Sequence, residues 1–413
     1  METGMTFVDQ DLLEWIREIR RNLHQHPELS YQEHRTSLLI QEKLTELGIR
    51  YRNGWGGTGV IATIGDIDDI GDVSGHSGHV GLRADMDALP IQDKKTVSYA
   101  SKIPGVMHAC GHDGHVAMLL GAAAILSKRQ LAGRVSLIFQ PAEENGNGAA
   151  KIIEEGALKN GIGAVFAGHI DTHYPTGTIT VDEGIICSSA DPFSLRIIGK
   201  SAHAARPHEA KDAIVAGAYL VTALQTLVSR ETDPNKAAVV TVGRFHAGEA
   251  NNVIAEEACI EGTIRSNDIE VRRRVLDGLQ RICDGVALQY GVKITIQFHD
   301  CLPVVFNSLQ ATKIARRAAQ QVIGAGLVIS QGRPSLGGED FAFYQQVVDG
   351  CLVRFGADGL ADDGPAHSGS FDFDENVLPI GAAWLACVAM EWLEWLDENG
   401  EQKGKGCQRN CST

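Results

Sequence analysis

The chain has 413 residues, 37 Lys and Arg against 52 Asp and Glu, a net charge of −15 and 44% hydrophobic content. That length exceeds one ordinary core and predicts two domains, and the ordinary apolar content argues against extended disorder. The acidic balance disfavours both a nucleic-acid face and docking on an anionic membrane.

Nine cysteines at irregular spacing predict reduced thiols rather than a disulfide framework. Residues 1–10 offer neither a basic start nor an apolar core for a secretory signal, so a cytoplasmic protein is expected. Residues 11–21 and 31–47 carry helical periodicity, with Gly48 as a stop. Residues 59–64 and 80–84 are short apolar strand candidates. The segment 66–79 between them is rich in Asp, Gly, His and Ser and reads as a turn, with His76 and His79 solvated rather than metal-binding. A helix is expected over 115–128, a strand over 134–140, a helix over 148–158 and a strand over 164–168. Strands alternating with helices predict an α/β catalytic domain, with a mainly parallel sheet between helices.

The pattern then changes. Residues 193–200, 210–230, 237–245, 258–266, 269–290 and 292–299 read as β-α-β-β-α-β, the order of a ferredoxin-like unit. The reading is therefore an inserted domain over 190–300, within a catalytic domain made of 1–189 and 301–413. Helices over 309–323 and 340–347, a strand over 351–355 and a closing helix over 378–396 complete the chain. The apolar run 377–390 is too short to span a bilayer and leads into Glu391 and Glu394, so it reads as a buried helix.

Chemistry-bearing residues cluster in His108-Ala-Cys110-Gly-His112-Asp113-Gly-His115, just before a helix. Cys110 and His112 would diverge on a helix but can converge on a glycine-rich turn. Glu143 and Glu144 follow a strand through Pro141; in that loop one can bind metal while its neighbour holds a water, although a solvated acidic turn is the commoner fate of such a pair. His169 ends another strand, and His367 lies in a late Gly/Pro/Asp-rich loop. Singly, each is more often structural. Together they fall where open α/β sheets place their sites, at the carboxyl ends of strands. Cys110, His112, Glu144, His169 and His367 exceed what one tetrahedral ion uses and suit two divalent ions sharing a bridge. The donor softness favours Zn, Mn, Co or Ni. Asp85 fits equally a turn cap or a carboxylate orienting a ligand histidine.

Leu82-Arg-Ala-Asp-Met-Asp-Ala-Leu-Pro90, Met107-His-Ala-Cys-Gly-His-Asp113, Phe139-Gln-Pro-Ala-Glu-Glu144, Gly199-Lys-Ser-Ala-His203 and Gly338-Glu-Asp-Phe341 occur in this order. In these the chain resembles the amidohydrolase branch of the aminoacylase/carboxypeptidase-G metallopeptidase family, which includes hippurate hydrolase and the indole-acetyl-amino-acid hydrolases. The resemblance implies that Cys110, His112, Glu144, His169 and His367 bind metal. It implies that Glu143 is the general base, carrying a proton from the attacking water to the leaving amine. It also implies that the inserted domain is a lid that forms a homodimer, with higher oligomers open. His203 would steady the oxyanion, and Asn252 and Arg265 would grip a substrate carboxylate; the bland alternative for Arg265 is a surface ion pair. The expected reaction is hydrolysis of small N-acyl-L-amino acids. Alternatives are a dipeptidase or carboxypeptidase on the same site, a Cys110 nucleophile, or an inactive dimeric scaffold. The run after His169, with Asp171 and His173, and Ala255 after Asn252-Val-Ile depart from the family pattern. These departures bear on substrate identity rather than reaction class.

Overall fold

The computed structural model describes residues 8–65, 78–144, 147–159, 161–359 and 364–407. It divides into two compact units, one of Met1–Gly184, Phe306–Gly332 and Phe343–Thr413, the other of Ile185–Val305 and Arg333–Ala342. The predicted turn over 66–77, with His76, lies outside the described residues.

The first unit begins with α1 (Gln10–Gln25), α2 (His34–Glu46), β1 (Arg50–Trp55), β2 (Gly59–Ile64) and β3 (Gly78–Asp85). It continues through α3 (His112–Leu126), β4 (Gly133–Gln140), α4 (Gly148–Glu154), β5 (Ala164–Asp171) and β6 (Ile179–Thr180). Asp9 caps α1 by accepting from Leu12 N, and α1 buries Ile16, Ile19 and Leu23. Every residue of α3 is buried, as its apolar, small-residue sequence requires. His79 is not in a solvated loop: it sits on β3, 5% exposed, with Nε2 2.9 Å from Ser136 Oγ.

The second unit runs β7 (Gly184–Cys187), β8 (Ser189–Ile198), β9 (Ala202–His203), α5 (Ala213–Ser229), β10 (Ala238–Ala247), β11 (Val253–Ile254), β12 (Glu257–Ser266), α6 (Ile269–Tyr290) and β13 (Lys293–Phe298). Its four-stranded sheet has the order β10-β12-β8-β13, antiparallel throughout. α5 and α6 pack on each other and on this sheet around Phe193, Leu195, Leu220, Ile260 and Leu279. Asp212 and Asp268 cap the two helices, and Gly291 ends α6 at φ 63°.

The chain closes with β14 (Val305–Asn307), α7 (Leu309–Ile323), β15 (Val328–Ile329), α8 (Ala342–Gln345), β16 (Asp349–Gly356) and α9 (Val377–Cys407). The large sheet has the order β1-β2-β4-β3-β5-β16-β6-β15. It is mixed, with parallel pairings in the majority as expected. β3 pairs in parallel with β4 and β5, β5 with β16, and β6 with β15, while β1–β2, β2–β4 and β16–β6 are antiparallel. The physical reason is connection length. A crossover through α3 permits β3 and β4 to run parallel, whereas the tight turn between β1 and β2 permits only a hairpin. α9 holds a 23-residue stretch, Val377–Asn399, long and apolar enough to cross a membrane, yet 72% of its apolar window is buried inside the protein. The seven cysteines with described side chains are all free thiols.

Candidate metal centre

Four first-unit segments carry the five predicted ligands to one place. The turn before α3 supplies Cys110 and His112, with Gly111 at the helix N-cap in the left-handed conformation, φ 88°. The end of β4 leads to Glu144, and β5 carries His169. His367 has φ 64°, and its N–H donates to Ala109 O at 2.8 Å, tying its loop to the Cys110 turn. The potential donor atoms of Cys110, His112 and His169 lie within 4.8 Å of one another, as do those of Cys110, Glu144 and His367. Cys110 belongs to both triads. Its Sγ is 3.5 Å from His169 Nε2, while Glu144 Oε1 is 3.5 Å from His367 Nε2 and 3.9 Å from His112 Nε2.

The surrounding groups decide which atoms are free. His112 Nδ1 contacts Asp87, 3.0 Å from its carbonyl and 3.3 Å from Oδ1, so Nε2 is the nitrogen left for a metal. His169 Nδ1 donates to Ile170 O at 2.6 Å, again leaving Nε2. His115 is excluded as a ligand: Nε2 accepts from Ile170 N at 2.8 Å, and Nδ1 donates to Asp85 Oδ1 at 2.6 Å. Asp85 also takes Arg83 Nη1 at 2.7 Å.

Burial opposes the charge on Asp85, but His112, His115 and Arg83 outweigh it and hold its carboxyl well below the ordinary value. Burial likewise opposes protonation of His112, yet the Asp85 charge and the Asp87 hydrogen bond raise its pKa well above 6.5. Hydrogen bonds to Cys110 and Glu144 push His367 up to about 10. His169 moves the other way, lowered by burial and by His115. Two imidazoles that draw protons this strongly mark a negative pocket. Among the described residues, His112 Nε2 is buried in it with no hydrogen-bond partner, and Glu144 Oε1 is buried beside it, 3.5 Å from His367 Nε2. Such donor atoms beside a thiol and a third imidazole are a set that fits soft divalent cations.

A model of peptidase family M20/M25/M40 matches residues 81–391. The chain belongs to this family. It is an enzyme, a hydrolase of amide bonds. It is similar to an N-acetyl-L-cysteine deacetylase of Bacillus subtilis, 41% identical over 93% of this chain and 89% of the relative. It is also similar to thermostable carboxypeptidase 2 of Saccharolobus solfataricus, 37% identical over 93% and 96%. A dinuclear metal-binding M20 peptidase from B. subtilis superposes with a TM-score of 0.80 at 36% identity, covering 94% of this chain and 99% of that one.

In this M20-family hydrolase Glu143 lies in the first unit, its carboxylate within 4.8 Å of the donor atoms of His112 and Glu144, and the remaining predicted residues lie in the second unit. His203 is exposed on β9; its Nδ1 accepts from Ala205 N at 3.0 Å, so Nε2 carries the hydrogen of the neutral ring. Asn252 is exposed beside β11, and its carbonyl accepts from Ala204 N at 3.0 Å. Arg265, on β12, is half-buried. It makes no ion pair among the described residues, and burial lowers its pKa despite Asp191.

Sequence reasoning missed Asp87. Its Oδ1 and Oδ2 accept from Glu143 N and Glu144 N, both at 3.1 Å, and Ser30 Oγ donates to Oδ2 at 2.6 Å. One carboxylate thus orients His112 and both glutamates. The signal was present in Arg83-Ala-Asp85-Met-Asp87, but spacing alone could not rank the two acids.

Proposed function

We propose that this chain hydrolyses N-acyl-L-amino acids to a carboxylic acid and a free amino acid, on two divalent ions held by Cys110, His112, Glu144, His169 and His367. The observation that carries the proposal is the pair of triads sharing Cys110, which suits a thiolate bridging two ions. Bound there, the ions would polarise the amide carbonyl and acidify a water. Zn, Mn, Co and Ni fit the donors, with the thiolate favouring the softer ions.

Glu143 takes the proton from the attacking water and delivers it to the leaving amine. Its backbone bond to Asp87 fixes where its side chain starts. His203 donates from Nε2 to the developing oxyanion. Arg265, half-buried and without an ion pair among the described residues, receives the substrate carboxylate with Asn252. The second unit acts as a ferredoxin-like lid, supported by its β-α-β-β-α-β succession. It also forms a homodimer. α5 turns Ile214, Val215 and Tyr219 outward at 42%, 49% and 47% exposure, and β10 is an edge strand.

The deacetylase relative favours an N-acyl substrate and the carboxypeptidase relative a peptide. Both would present a carboxylate to Arg265. The test is metal analysis of the purified protein with a hydrolysis panel of N-acyl amino acids beside dipeptides. Two ions per chain, loss of activity with chelator and faster turnover of acyl amino acids are expected. Faster turnover of dipeptides overturns the substrate assignment. Activity that survives chelation but not thiol alkylation would make Cys110 a nucleophile. Light scattering checks the dimer.

A further inference from the structure

The residue before the two glutamates is strained. Ala142 has φ 54°, in the left-handed region that residues with a Cβ rarely occupy. Two hydrogen bonds clamp its peptide groups. Its N–H donates to Glu33 Oε1 at 2.9 Å, and its carbonyl accepts from Gly148 N at 3.2 Å. Only glycine permits that second approach, because a Cβ at 148 would stand 1.7 Å from Pro141 O.

Glu33 is 0% exposed and belongs to the N-terminal segment just before α2. Thr58 Oγ1 donates to its second oxygen at 2.6 Å. The turn that carries Thr58 also packs on the catalytic loop, since a Cβ on Gly59 would lie 2.9 Å from Pro141 Cδ. Complete burial of a carboxyl is costly, and an apolar side chain would fill the same volume without that cost. What Glu33 does that an apolar side chain cannot is accept the Ala142 N–H. The left-handed turn there directs the next two N–H groups onto Asp87 and so sets the exit of both Glu143 and Glu144. Strain of this kind persists only where the surroundings over-determine it.

We infer that Glu33 is a positioning residue for the reaction: by anchoring Ala142 in its left-handed conformation, it aims Glu143 at the proton it carries. Its side-chain acceptors serve Thr58 and Ala142, not any of the five candidate ligands. The inference rests on the reading of Glu143 given above.

The test uses the full-length, metal-loaded protein with N-acetyl-L-cysteine as substrate. Glu33→Ala, Glu33→Gln, the double variant Glu33→Ala/Ala142→Gly and the reference Glu143→Gln are compared for metal content, Tm, kcat and KM. Glu33→Ala should keep its metal and a KM within about twofold, yet lose kcat on the order of 10- to 100-fold, the size expected of a misaimed catalytic group. Glu33→Gln keeps a carbonyl for the Ala142 N–H and should lose less. Glycine adopts positive φ without strain, so the double variant should recover about tenfold of the lost kcat. If neither single Glu33 variant folds, Thr58→Val is read in the same way. Wild-type kcat in these variants overturns the inference, as does a kcat loss that follows metal content or Tm and gains nothing from Ala142→Gly. If Glu143→Gln stays active, the functional reading has failed instead. If Glu143→Gln is dead while the Glu33 variants keep kcat, only the positioning role has failed.

Discussion

In the second unit, the space between α5, α6 and the four-stranded sheet is filled by Phe193, Leu195, Leu220, Ile260 and Leu279, and the buried Asp191 is answered by two hydrogen bonds from Arg272. In the first unit, Arg20, His24, Glu33, Asp85, Asp87, His112, Asp113 and His115 are all 3% exposed or less. Some of these charges are fully paired. Arg20 donates to Asp113, Asp372 and Glu375, bracing the start of α3 where His112 stands. Others leave donor atoms open, as His112 Nε2 does. Buried charge is expensive and is retained where it performs work. On the function proposed above, metal binding and proton transfer belong to the first unit, and oxyanion contact and substrate capture to the second.

That division can be broken most sharply at Glu143. Glu143→Gln should retain metal and lower kcat by about 10²- to 10⁴-fold, the usual contribution of a proton carrier. Unchanged kcat with metal retained would remove the first unit's central role. Arg265→Ala probes the other side. Losing a charge-assisted carboxylate contact should raise KM about 10- to 100-fold while Tm and metal content hold. A fall in kcat at constant KM would show that Arg265 acts in the reaction rather than in substrate capture. Asp87→Asn sharpens the first half. Asn keeps an oxygen for His112 but loses the charge, so metal affinity measured by competition with a chelator should drop about 10- to 100-fold.

The gentlest test is pH. Cys110 and Glu144 raise His367 from its ordinary 6.5 to about 10, so the metal-free protein holds a proton there at neutral pH. A metal must displace that proton. Affinity in calorimetric titrations should therefore increase with pH, by up to about tenfold per unit from this group, and level off near 10. The same raised value makes His367's stabilising contribution to the metal-free fold complete below 6.5 and lost as pH rises through about 10. A flat affinity between pH 6 and 8 would show that His367 meets no metal.

Elements with strong local signals were legible as written. β2, α6 and α7 form over the residues their periodicity marks, since burial of one face is encoded in the spacing itself. β1 was not legible: Arg50–Trp55 has no apolar alternation and forms as the edge partner of β2. The helix expected over 340–347 shrinks to Ala342–Gln345. At the site, the residue types and their order along the chain pointed to a metal-binding set of five. The sequence by itself determined the family, through motifs that are local facts, and named five candidate ligands, a thiol, a carboxylate and three imidazoles on strand ends and glycine-rich turns. Only the tertiary structure decided that His115 is spoken for, that Asp87 rather than Asp85 meets His112 Nδ1, and that Glu33 reaches Ala142. These choices depend on which hydrogen-bond partners arrive from tens of residues away, and no spacing along the chain records that.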